Sequence, residues 1–110
     1  MYTYNCKLDR VIDGDTVDAK IDLGFGISVY RRIRLFGINA PETRTKNKAE
    51  KKKGLKSKQF LINALVNEDF VINTIKDSTG KYGRLLGVIY INGVNINDAM
   101  VETGYAKRYE

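Results

Sequence analysis

The stretch Tyr4-Asn5-Cys6-Lys7-Leu8, with Val11-Ile12-Asp13-Gly14-Asp15-Thr16 and Val17-Asp18-Ala19-Lys20-Ile21 after it, decides how the rest of the chain is read. Tyr4, Cys6 and Leu8 alternate with Asn5, Lys7 and Asp9, and beyond the Asp13-Gly14-Asp15 turn Val17, Ala19 and Ile21 resume the same period of two. Such alternation marks half-buried strands, because successive side chains point to opposite faces. A second turn, Asp22-Leu23-Gly24-Phe25-Gly26, leads into Ile27 to Phe36, where Ile27, Val29, Ile33 and Leu35 share one parity and Tyr30, Arg32, Arg34 and Phe36 the other. Short turns between such runs predict an antiparallel meander.

Outward from this core, Gly37 to Pro41 interrupts the strand pattern, and Pro41 biases Ala40 toward extended geometry. Thr45 to Lys58 is rich in lysine and poor in apolar residues, which predicts an exposed linker and first helical turns. Read functionally, it forms an electrostatic rim for a polyanion. Phe60, Leu61, Ile62, Ala64 and Leu65 give a broad apolar face to a helix running from about Leu55 to Val66. Phe70 to Ile75 and Arg84 to Ile91 read as strands, Asn92-Gly93 as a tight hairpin turn, and Ile96, Ala99 and Met100 as a short helix before Gly104. The expectation is one domain over residues 1–110, mainly β, with about five strands and a helix after the third and fifth. Closure into a barrel would remove the sheet's edges, although an open sheet with two packed helices has the same periodicity.

Composition narrows the chemistry. Nineteen Lys and Arg against thirteen Asp and Glu give a net charge of +6, which favours a polyanionic partner through long-range attraction and counterion release. The absence of histidine removes every His-containing triad, the commonest zinc ligand and the commonest general base. Cys6 is the only cysteine, so an internal disulfide and a thiolate metal cluster are both excluded. No apolar run approaches the ~18 residues of a membrane span, which leads to the expectation of a soluble monomer, either cytoplasmic or already stripped of a leader.

Three segments carry ionisable groups beside glycine: Val11 to Thr16, Arg34 to Thr43, and Lys81-Tyr82-Gly83-Arg84. Asp, Asn and Glu offer hard oxygen ligands that suit calcium, and Arg offers planar donors that suit phosphate. In order, content and spacing these segments resemble the staphylococcal nuclease (thermonuclease) family, with further support at Asn97-Asp98-Ala99-Met100-Val101 and Gly104-Tyr105-Ala106-Lys107. The resemblance runs from about Tyr4 to Lys107.

The resemblance implies a five-stranded, oligonucleotide-binding-fold (OB-fold) barrel with packed helices, Ca2+ as cofactor, and cleavage of single-stranded or locally opened DNA and RNA to leave 3′-phosphates. It assigns Asp15, Asn39 and the Ala40 carbonyl to the metal, Glu42 to general base or water orientation, and Arg34 and Arg84 to the phosphate. Tyr82 and Lys81 fall beside the bound nucleotide. Asn39 stands where well-studied secreted members carry a second metal-binding aspartate, which implies weaker calcium affinity or a different divalent cation. Asn39 can equally serve the loop backbone, as asparagines often do. Two other readings stay open: a catalytically weak or inactive nucleic-acid-binding module, and a protein-interaction domain.

Overall fold

The computed structural model describes residues 2–75 and 85–109. Along them run β1 (Thr3–Asp13), β2 (Thr16–Gly24), β3 (Ile27–Leu35), β4 (Ile38–Asn39), α1 (Lys48–Leu65), β5 (Asp69–Ile75), β6 (Leu85–Ile91), β7 (Val94–Asn95), α2 (Ile96–Glu102) and β8 (Lys107–Arg108). The predicted meander is present: β1 pairs antiparallel with β2 through Cys6 opposite Ile21, and β2 with β3 through Val17 opposite Ile33. On its other edge β1 pairs with β5, and β5 with β6.

Closure comes from a contact that alternation could not foretell. β6 lies parallel to β3, with Arg34 opposite Leu86 and Leu35 opposite Gly87. The order β3-β2-β1-β5-β6 therefore returns on itself as a five-stranded barrel of mixed direction, an OB-fold architecture. Val17, Ala19, Ile33, Ile72 and Ile89 are fully buried, and α1 covers β1 with Leu61 and Leu65 turned inward. Burial pushes the Cys6 thiol up to about 12, so Cys6 behaves as a small core residue and not as a nucleophile.

One element differs from expectation. Helix α1 starts at Lys48, not near Leu55. The Asn47 side chain caps it by accepting the backbone N–H groups of Ala49 and Glu50 at 3.0 and 3.1 Å. Lysine is a good helix former, so this first part needs no apolar stripe of its own. The Asn92-Gly93 turn has φ of 50° and 79°, as a two-residue type I′ hairpin requires.

Asn97 joins the second helix to the barrel seam. It is 2% exposed, accepts the Ile89 N–H at 3.1 Å, and donates to the carbonyls of Phe36 at 2.9 Å and Gly87 at 3.1 Å. Replacing it by alanine removes three hydrogen bonds and leaves the buried Ile89 N–H without this partner, while Gly87 O keeps the Phe36 N–H. Asn97→Ala is expected to cost about 1–3 kcal/mol in urea unfolding. A loss under about 0.5 kcal/mol, the range of neutral surface changes, would contradict its role at the seam.

Candidate active site

The turn between β1 and β2 presents Asp15, which is 7% exposed. Its Oδ1 accepts the Thr16 hydroxyl at 2.9 Å and its Oδ2 accepts the Ala40 backbone N–H at 2.9 Å. The Asp15 main-chain carbonyl accepts the Leu35 N–H at 2.8 Å, which fixes the turn to the end of β3. Arg34 lies across this junction, with Nη1 3.5 Å from Asp15 Oδ2. The same nitrogen donates to the carbonyls of Leu35 at 3.0 Å and Asp15 at 3.4 Å, while Nη2 donates to Asn39 Oδ1 at 3.3 Å. Asp15, Arg34, Asn39 and Ala40, drawn from three separate strand ends, thus meet at one place.

Arg32 and Arg34 are held differently. Both arginines lie on the outward parity of β3, but Arg32 is committed to Asp18, donating from Nε at 2.8 Å and from Nη2 at 3.1 Å. Arg10 also reaches Asp18, at 3.0 Å. The Arg32 hydrogen bond, opposed by partial burial and reinforced by Arg10, holds the Asp18 carboxyl below its ordinary range. Arg34 has longer, mostly carbonyl contacts beside its ion pair with Asp15.

Glu42 follows on the loop after β4. It is exposed, and its carboxylate has no hydrogen bond or ion pair to a described residue. It lines an open cavity of about 600 Å³ together with Asn39, Ala40, Pro41, Asn47, Ala49, Glu50, Lys53 and Lys107. Two devices hold this loop. Thr43 gives Asp13 Oδ1 its hydroxyl at 2.6 Å and its N–H at 3.3 Å. Gly54 of α1 lies against the Pro41 and Glu42 carbonyls so closely that a Cβ there would overlap them. Pairing of Asn39 with Lys107, between β4 and β8, brings the lysine to the rim.

A hard cation is compatible with this donor set, though weakly. A carboxylate has about four acceptor positions, and Thr16, Ala40 and Arg34 take three of those on Asp15. One acceptor position on Asp15 stays open, and Asn39 Oδ1 already accepts from Arg34. Among the described residues no group of three or more Asp, Glu, Cys or His side chains could hold a metal, so a cation here would rest on the single carboxylate of Asp15 and on water. Asn39 serves Arg34, not the loop backbone.

Lys81, Tyr82 and Arg84 lie outside the described residues. The Tyr105 ring stacks on Phe60 at 4.8 Å, and Tyr109 is exposed. Thr16, Gly54, Lys53 and Lys107 also belong to the site, although the sequence does not single them out for it. A glycine inside a helix of good helix formers was the one legible signal, since it costs helix stability unless something approaches closely.

Residues 32–110 match the family described as staphylococcal nuclease homologue. Endonuclease YhcR of Bacillus subtilis (strain 168) is 35% identical over 113 residues, covering 96% of this chain and 9% of its own length. Protein ParB of Escherichia coli is 35% identical over 109 residues, covering 91% of this chain and 54% of its own. The thermonuclease of Staphylococcus hyicus is 27% identical over 101 residues, covering 92% and 57%. The chain thus spans little more than half the length of these curated relatives, and far less of the first.

Gly54→Ala tests how the Glu42 loop is held. Helix propensity alone would gain about 1 kcal/mol. Overlap with the Glu42 carbonyl is expected to reverse that gain and leave a net loss of about 1–2 kcal/mol in thermal unfolding. A higher melting temperature would show that α1 does not press on the loop.

Proposed function

The chain belongs to the staphylococcal nuclease family, and on that premise we propose that it is a calcium-dependent nuclease that hydrolyses phosphodiester bonds in single-stranded or locally opened DNA and RNA. The observation that supports this reading best is the meeting of Arg34 with Asp15 and Asn39, where Asn39 and its neighbour Ala40 also line the cavity that carries Glu42. A module that only binds nucleic acid needs positive charge, but gains nothing from a buried carboxylate held beside an arginine next to a loop that exposes a second, unpaired one.

A cation bound by Asp15, Asn39 and the Ala40 carbonyl would supply Lewis-acid polarisation of a phosphate oxygen. The chain's own groups do the rest. Arg34, joined by Arg84, donates to the nonbridging oxygens, and its help is greatest as negative charge builds on them in the transition state. Glu42 accepts a proton from the water that attacks phosphorus, a task that falls to a carboxylate in a chain without histidine. The bond to the 5′ oxygen breaks and that oxygen takes a proton from solvent water, leaving a 3′-phosphate and a 5′-hydroxyl. Lys81 and Tyr82 complete the nucleotide subsite in this proposal.

Asn39 favours a second reading, a catalytically weak or inactive binding module, because it removes one negative charge from the cation's surroundings. Cleavage of single-stranded DNA in calcium, magnesium, manganese or chelator decides between the two. The expected outcome is cleavage in calcium that is lost with chelator and falls about a hundredfold in Glu42→Ala and in Arg34→Ala. Asn39→Asp is expected to lower the calcium concentration for half-maximal cleavage by roughly tenfold. No cleavage with any cation, together with tight binding of the strand, selects the binding module.

A further inference from the structure

Helix α1 shows two different faces. Gly54, Ser57, Leu61 and Leu65 are buried against the barrel, and the opposite side carries Lys48, Lys51, Lys52 and Lys56, all exposed. With Leu55 and Gln59 these lysines line an open groove of about 440 Å³, separate from the cavity beside Glu42. None of the four forms an ion pair with a described residue, and the helix holds a single acidic residue, Glu50.

This arrangement works against the helix. Lys48 and Lys52, and Lys52 and Lys56, are four apart on one face, and each like-charged pair of this kind is unfavourable. A face meant only for solvation would alternate lysine with glutamate and gain where this one loses. The repulsion disappears when an anion of matching periodicity lies along the groove. From Lys48 to Lys56 the helix advances ~12 Å at ~1.5 Å per residue. One strand of a DNA duplex offers about three to four phosphates over that length, at ~3.4 Å each along the axis, and a more extended single strand offers fewer.

We propose that this lysine groove is an exosite for the sugar–phosphate backbone of a nucleic acid strand, distinct from the place of cleavage, and that it tethers long substrates to the enzyme. The two surfaces share α1: Lys53 and Glu50 line the cavity beside Glu42, and the groove lies next to them around the helix. A strand leaving the cavity past Lys53 meets the groove without leaving the helix. A lipid surface fits less well. Basic helices that bind membranes insert an apolar face, whereas the apolar face of α1 is covered by the barrel and only Leu55 remains exposed among the lysines. The substrate class that follows is polymeric nucleic acid, preferred over short oligonucleotides. As a statement about substrates it rests on the nuclease reading above; as a statement about binding it does not.

Fluorescence anisotropy in chelator, with labelled single strands of about six and about twenty-four nucleotides, tests it on the full chain. The combined Lys48→Gln, Lys51→Gln, Lys52→Gln, Lys56→Gln variant is compared with the native chain and with a Lys7→Gln, Lys20→Gln control, circular dichroism confirming that the helix persists. The groove variant is expected to bind the longer strand at least tenfold more weakly. Its plot of log affinity against log salt should be shallower by roughly 2 to 3, at ~0.7 for each phosphate no longer neutralised. Binding of the shorter strand and its cleavage in calcium should stay within about twofold of native. Affinity and salt slope equal to the control overturn the exosite. So does a groove variant that loses binding to phosphatidylserine vesicles while keeping its hold on the long strand. A native chain that holds the long strand through these lysines yet cuts nothing defeats the nuclease reading and leaves the exosite standing.

Discussion

The buried carboxylate of Asp15, accepting the Ala40 N–H on one oxygen and the Thr16 hydroxyl on the other, is the contact on which the candidate site depends. It crosses from the β1–β2 turn to the loop after β4, two places twenty-five residues apart in the chain. An ionised carboxylate withdrawn from water costs several kcal/mol unless hydrogen bonds and a counter-charge replace its hydration. Here Arg34 supplies the counter-charge, and hydration is replaced only when the turn, the end of β3 and the loop are all in place. The barrel therefore does more than carry these residues. Parallel pairing of β3 with β6 fixes the end of β3, Asn97 pins that seam, and the seam sets where Arg34 begins.

Charge follows the same division between committed and available groups. Three arginines lie near one another on the outer wall, yet Arg10 and Arg32 direct much of their field at Asp18 while Arg34 faces a carboxylate already shared with two other donors. Around α1 the pattern reverses, with lysines crowded on one face and little acid to offset them. The surface thus divides into a committed trio on the barrel wall, a guanidinium with longer contacts at the end of β3, and a row of ammonium groups on α1.

Much of this could be read from residue order, and the exceptions have physical reasons. The strands announced themselves through alternation, and Asn92-Gly93 through the positive φ its turn requires. Asp15, Arg34, Asn39 and Ala40 stand at strand ends beside turns, where the family resemblance could index them one by one. The start of α1 was hidden because Asn47 and the lysines make helix by capping and propensity, which leave no apolar period. Barrel closure was hidden because a parallel contact between distant strands writes nothing into either one's alternation. The hold of Arg34 on Asn39 was hidden for a similar reason: both lie within one segment, but only the bend after β3 turns them toward each other.

The most direct measurement is a calorimetric titration of calcium into the native chain and into Asp15→Asn, with circular dichroism verifying the barrel in both. If the site rests on this one carboxylate, the native chain binds saturably at a single site, and the variant binds at least tenfold more weakly or not detectably. Identical isotherms for the two proteins would contradict it, because the cation would then be held by groups other than those gathered at Asp15.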